Sequence, residues 1–222
     1  PTIALMNRTA HPTAGRLAAA AALALALSGC SIEGLAIRRL GDALAGSGAT
    51  FASDDDPELV KAAVPFSLKL IETLLADSPE HEGLLLAAAS GFTQYGFAFV
   101  EQDADELAPR DLKGAEALRQ RARRLYARAR GYGLRGLEAR QEGFGAALRA
   151  DPRTAVGALT VADVPLAYWT AAAWGRSISL SKDDPEAIAD QGVVEALIDR
   201  ALELDESFGD GAIHGFLIAY EM

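Results

Sequence analysis

The residues able to do chemistry are few and far apart. Cys30 is the one cysteine in the chain, and it closes an apolar run, so it can serve neither an internal disulfide nor a cysteine-rich metal site. His11, His81 and His214 are the three histidines. None stands in an HExxH or other metal-ligand spacing, which makes His81 and His214 capping or packing residues. No GxSxG elbow is present, and the paired acids cluster in turns, where helix caps put them. Gly131, Gly133 and Gly136 spell GxGxxG, but inside an arginine-rich helical stretch with no strand before it. Helix termination or close packing explains them better than a dinucleotide. No catalytic constellation, cofactor site or metal site emerges, and the chain reads as a non-enzyme.

Two groups of side chains remain that could bind something. Arginines stand at 119, 121, 123, 124, 128 and 130, and Arg121, Arg124 and Arg128 fall on one helical stripe. Such a stripe is either a solvated face paired with carboxylates or a docking patch for an acidic partner or lipid headgroups. The aromatics form the second group. Phe92, Tyr95, Phe97 and Phe99 lie in one helix, Tyr168, Trp169 and Trp174 in another, and Phe216 and Tyr220 in the last. Tyr95 and Phe99 share a face while Phe97 points elsewhere, so that helix has more apolar surface than one neighbour covers. Tyr95, Phe99, Tyr168, Trp169, Trp174, Phe216 and Tyr220 are the candidates for lining a ligand groove.

The element that must hold these groups is the stretch DVPLAYWTAAAWG, Asp163 to Gly175, which carries both tryptophans. Asp163 is placed as an N-cap and Pro165 suits a first turn, which predicts a helix over Leu166 to Leu180. Five positions separate Trp169 from Trp174, about 140° around a helix, so the two indoles cannot share a face. Ala167 and Ala171 to Ala173 admit close neighbours. This pattern belongs in the middle of a helical array, with one indole in the core and the other at a groove.

Composition agrees. Of 222 residues, 50% are hydrophobic and the net charge is −10. Ala, Leu and Gly dominate without strict alternation, which indicates an all-α chain long enough for one sizeable core. The acidic balance excludes a phosphate backbone as partner, and so nucleic acid. The predicted order after Cys30 is a short helix through Leu35, Ile37, Leu40 and Leu44. A helix from Glu58 to Asp77, kinkable at Pro65, and a second from Glu80 to Gln102 follow. Asp103 to Lys113 is predicted as a loop, Gly114 to Glu138 as a basic helix, and Ala139 to Ala150 as its continuation. After the tryptophan helix come a turn at Ser181 to Pro185, a long helix to Leu204 and a last one from near Gly209.

These helices repeat. A shift of 128 positions, read off the chain, sets Leu70 on Ile198, Leu74 on Leu202, Asp77 on Asp205, Gly83 on Gly211 and Phe92 on Tyr220. The pattern predicts an α-solenoid or bundle of antiparallel helix pairs with a concave groove. RALELDESFGDGAIHGFLIAY, Arg200 to Tyr220, is similar to the helix junction of tetratricopeptide repeats, and Ala146 to Leu148 resembles it more faintly.

At the N-terminus, Met6 is a natural start. Arg8 and Arg16, the apolar run Leu17 to Leu27 and then Leu27-Ser28-Gly29-Cys30 make a secretory signal that resembles a bacterial lipobox. Residues 1–29 are read as signal and 30–222 as one helical repeat domain. Cys30 would carry acyl chains such as palmitate. Ser31 after it, by the sorting rule that resemblance implies, favours the periplasmic face of the outer membrane.

With these residues in view, the chain resembles the T components of tripartite ATP-independent periplasmic (TRAP) transporters. The carrying features are the lipobox, the block from Asp163 to Pro185 and the block from Arg200 to Glu221. The resemblance implies a lipid-anchored periplasmic protein that assembles as a homotrimer, docks the solute-binding protein, and binds or passes a small hydrophobic ligand. Family members continue through further helices, which makes the stop at Met222 read as a truncation. The competing reading is a structural envelope scaffold that mediates protein contacts alone.

Overall fold

The computed structural model describes residues 39, 41, 43 and 53–221, with backbone alone at Glu221. The signal, Cys30 and the predicted short helix around Leu35 lie outside the described residues or nearly so. By its contacts the chain divides into Pro1–Leu40 and Gly41–Met222, and every helix below belongs to the second unit. Among the described residues there are helices and no strands.

Helix α1 is Pro57–Asp77. Asp56 caps it by accepting hydrogen bonds from the Glu58 and Leu59 amides, Pro57 opens the first turn, and the helix passes through Pro65 without interruption. Ser78 and Pro79 turn the chain, and His81 caps α2, Glu82–Tyr95, its Nδ1 accepting from the Leu84 amide at 3.3 Å. The chain then widens into a π-helical turn, Gly96–Glu101, and closes as α3, Gln102–Leu107. Glu82–Leu107 is long and apolar enough to cross a bilayer by composition. Its apolar side chains Leu84, Leu85, Ala88 and Phe92 are instead buried in the core. The predicted loop from Asp103 is thus helical as far as Leu107. Its carboxylates face other helices, Asp103 pairing with Lys61 at 2.6 Å and Asp105 with Arg119 at 3.0 Å.

Helix α4, Leu112–Arg140, is the longest among the described residues, its 29 residues spanning about 43 Å. Asp111 caps it through the Gly114 amide. The chain breaks at Gln141 to Gly143, where Gly143 has φ of +82°, so α4 does not run on as predicted. A small hairpin of α5, Phe144–Ala150, and α6, Pro152–Val156, follows. Then come a 3-10 turn, Val161–Asp163, and α7, Val164–Ser179, the tryptophan helix. Asp163 does not cap α7 with its side chain. It reaches back to the Thr160 amide and hydroxyl, at 2.8 and 2.7 Å, and takes Arg140 at 3.0 Å. Arg140 also holds Glu82 at 2.9 Å, so one guanidinium ties the start of α2 and the end of α4 to the entry of α7.

The predicted long helix to Leu204 is broken at Asp190 into α8, Pro185–Ala189, and α9, Gln191–Leu204. The last helix, α10, is Phe208–Glu221, and its opening residues Gly209, Asp210 and Gly211 are left-handed, with φ of 58°, 55° and 92°. The aligned pairs α1/α2 and α9/α10 share the turn after Asp77 and Asp205 but differ at the matched glycine. Gly83 is helical and Gly211 is not.

Partner residues fix the packing direction. Lys61 meets Asp103 and Leu68 meets Gly91, so α1 and α2 are antiparallel. Glu82 meets Arg140 and Phe92 meets Tyr132, so α2 and α4 are too. Helix α7 packs on α2, α4, α9 and α10, which is the central place its two-sided pattern predicts. Its closest approach is to α4. A Cβ on Gly133 would stand 3.1 Å from Thr170 Cβ and 3.4 Å from its Cα, and one on Gly136 3.1 Å from Leu166 Cδ1. Two of the three glycines of the GxGxxG string are therefore packing residues.

Gly133→Ala should destabilise the protein by about 1–3 kcal/mol through overpacking at backbone contact distance. Gly131→Ala, where an added Cβ meets nothing within 4 Å, should instead stabilise it by about 0.5–1 kcal/mol. Urea unfolding followed by far-UV circular dichroism measures both. A pH effect follows from Asp163. Burial opposes its charge, but Thr160 and Arg140 outweigh that and hold the carboxyl below its ordinary 3.8. A group depressed on folding stabilises above its unfolded pKa, and that contribution is lost as pH falls through the folded one. The melting temperature should therefore drop below about pH 4, and Asp163→Asn should flatten that part of the profile.

Candidate functional site

The arginines of α4 are arranged over aromatic rings. Arg121 lies 5.7 Å from the Tyr95 centroid, Arg128 5.2 Å from Phe92, Arg130 4.6 Å from Trp174 and Arg135 5.3 Å from Tyr132. Cations in such positions favour the ring face by about 0.5–1 kcal/mol when exposed. The Arg121, Arg124, Arg128 stripe is accordingly divided. Arg121 and Arg128 lean toward α2, and Arg128 also pairs with Glu72 of α1 at 3.2 Å. Arg124 is exposed and makes no ion pair among the described residues. Glu72 also accepts from the Tyr132 hydroxyl at 2.8 Å. Burial, followed by that bond, pushes the Tyr132 phenol up to about 12.

Beneath this surface lies a buried polar group that no local pattern announces. Glu101, only 5% exposed, is delivered inward by the π-helical turn. Its carboxylate accepts from the Tyr126 hydroxyl of α4 and from the Arg176 guanidinium of α7. Gly96 makes room, since a Cβ there would stand 2.9 Å from the Tyr126 ring. Burial and then Glu101 raise the Tyr126 phenol far above its ordinary range, so it stays a donor. Burial lowers Arg176, but its bond and charge interaction with Glu101 outweigh this and the guanidinium is raised on balance. Arg176 also covers the exposed Phe97 at 5.1 Å. The acid thus sits on a π-turn between α2 and α3, and such bulges are frequent at functional sites.

A cleft of about 450 Å³ opens beside Trp174. Leu134, Leu148, Pro152 and Val193 form apolar walls, and Arg130, Arg149 and Asp190 bring charge to it. Trp174 is 8% exposed. Its indole N–H donates to Asp190 at 3.1 Å, and Arg130 stands 3.8 Å from the same oxygen. The break between α8 and α9 is what presents Asp190 there. The size and the mixture of apolar walls with a few polar groups fit a small-molecule pocket.

The other predicted groove residues lie elsewhere. Tyr95 is buried against Phe99, centroids 5.5 Å apart. Tyr168 packs between Trp169 and Phe208, at 4.9 and 5.2 Å. Phe216 and Tyr220 stack at 5.3 Å and lie against Gly175. Of the seven, only Trp174 borders the cleft. His81 is the α2 cap, His214 is exposed, and among the described residues no three His, Cys, Asp or Glu side chains converge on one point.

Residues 53–222 match the family described as TRAP transporter T-component. The chain belongs to that family. A relative from Treponema pallidum (strain Nichols), carried as an uncharacterized protein, is 29% identical over 231 residues, covering 95% of this chain and 71% of its own. The match to the T-component family takes in α1 to α10, so the buried Glu101 group and the Trp174 cleft both lie in the matched region.

Arg176→Ala should destabilise this T component by about 3–5 kcal/mol, because it leaves Glu101 buried without a cation. Tyr126→Phe should cost less, about 1–3 kcal/mol, for one lost bond to a carboxylate. Urea midpoints at neutral pH give the ranking, and a larger loss for Tyr126→Phe would reverse it.

Proposed function

We propose that this T component is a lipid-anchored periplasmic accessory protein that docks the solute-binding protein of its transporter and takes a small apolar organic ligand in the cleft beside Trp174. The observation that carries the ligand half is the cleft itself, where Leu134, Leu148 and Val193 oppose an indole fixed by Asp190 and capped by Arg130. Two arginines against one carboxylate give an apolar anion the best charge match. The docking half and the homotrimer rest on family membership. Anchoring at Cys30, with outer-membrane sorting from Ser31, rests on the run of residues ending at that cysteine.

The mature protein should co-purify with the solute-binding protein of its transporter, and absence of association across salt concentrations, with and without candidate ligands, would remove the docking half. Trp174→Ala should weaken ligand binding at least about tenfold through loss of an aromatic wall. Trp174→Phe, which keeps a ring under Arg130 but no N–H for Asp190, should fall between the two. A large drop in melting temperature with unchanged affinity would make Trp174 a packing residue only.

A further inference from the structure

One turn along the same seam from Trp174 is a second hollow of about 340 Å³ between α4 and α7. Its lining is Gln120, Arg123, Arg124 and Ala127 of α4 with Ser177 of α7. The two hollows are consecutive rungs. Ala127 and Ser177 are each three residues from Arg130 and Trp174, in the antiparallel register that also puts Arg123 on Ser181 at 3.3 Å.

Its chemistry differs from that of the Trp174 cleft. The cleft sets Leu, Pro and Val walls beside two arginines and the carboxylate of Asp190, whereas this hollow has two guanidinium groups, an amide, a hydroxyl and one methyl group, with neither a carboxylate nor a large apolar side chain among its lining residues. Deep apolar walls suit a small molecule, and a shallow cationic notch suits the side chains of a macromolecule. Arg123 is held in place by the buried Ser181 and pairs with Glu116 at 3.8 Å. Arg124 has no ion pair among the described residues. In a chain of net charge −10, two adjacent arginines in a shallow notch, of which Arg123 alone has a carboxylate partner among the described residues, are a local reversal of sign. Carboxylates are the groups a guanidinium fork holds in two-pronged fashion. A shallow recess of this kind admits the side chains of a protruding loop.

We propose that the notch at Arg123 and Arg124 is the docking point for an acidic loop of the protein partner, whose Asp or Glu side chains seat on the two guanidinium groups. This rests on the reading that the T component docks a solute-binding protein, and it places that partner one helical turn from the mouth of the Trp174 cleft.

The test uses the mature protein and two probes, the solute-binding protein of the transporter and a fluorescent glutamate-rich peptide with its glutamine counterpart. Arg124→Gln and the double variant Arg123→Gln/Arg124→Gln are compared with Arg121→Gln, which lies over Tyr95 outside the notch. The glutamate peptide should bind in a salt-dependent way and the glutamine peptide should not. The double variant should weaken both the peptide and the solute-binding protein at least about tenfold, while Arg121→Gln changes neither. Because Arg124 is exposed and makes no ion pair among the described residues, Arg124→Gln tests the notch even if the double variant folds poorly. Equal binding by variants and parent, or equal loss in Arg121→Gln, overturns the proposal and leaves docking elsewhere on the protein intact. If the parent protein binds the glutamate peptide through Arg124 but never associates with the solute-binding protein, the choice of partner fails while the acidic-loop site stands. Binding to vesicles rich in anionic lipid that Arg124→Gln abolishes, with no peptide binding, overturns it in favour of a membrane surface.

Discussion

The close approach of α4 to α7 is the constraint on which the other features depend. Gly133 lies against Thr170, and Gly136 against Leu166, at distances where an added Cβ would force its neighbour to shift. Small residues alone can bring two helix backbones so near, and the rest of that face of α4 follows suit with Ala115, Ala122 and Ala129 fully buried. Once the axes are this close, the long side chains of α4 cannot lie between the helices. They emerge along the edges of the seam, where arginines fold over aromatic rings and the hollows beside Ala127 and Trp174 are left open.

The same proximity makes Glu101 tenable. A carboxylate taken out of water is costly unless its charge is opposed and its lone pairs are used. Here the acid comes from the π-turn, the phenol from α4 and the cation from α7, so the group is satisfied only when all three elements are correctly registered. Buried ion pairs contribute little net stability over apolar residues of similar volume. What this one supplies is discrimination among packings, since a slip of one turn in any of the three helices strands a charge in the core.

Much of the fold was legible in the sequence because it is written in local periods. Trp169 and Trp174, 140° apart by helical geometry, with alanines between them, foretold a helix covered on several sides, and α7 is that helix. Asp56, Pro57 and Pro79 foretold the ends of α1 and the start of its partner. The stretch after Asp103 misled because acidic residues in sequence resemble a loop, whereas in space their partners are Lys61 and Arg119 on other helices. The breaks at Gln141 and Asp190 carry no proline to mark them. The site was less legible still. Arg176 and Glu101 are 75 residues apart, and the only local sign of either is a charge in an otherwise apolar helix. Which indole meets the cleft depends on where α8 turns into α9, a tertiary matter that helical angles cannot give.

The three left-handed residues at the head of α10 have a mechanical meaning. Gly209, Asp210 and Gly211 set the direction of the helix by backbone torsion rather than by a packed turn, whereas α2 leaves its own turn through a histidine cap. About nine residues separate Gly211 from Tyr220, a lever of roughly 14 Å at the helical rise. A rotation of about 20° at the three torsions would carry the far end of the lever through about 5 Å. In a stack of helix pairs, the tilt of one pair sets the curvature of the next. Two glycines and an aspartate therefore set the angle at which α10 leaves its turn, and the buried Ile213 with Phe216 and Tyr220 on Gly175 holds the helix at that angle against the core.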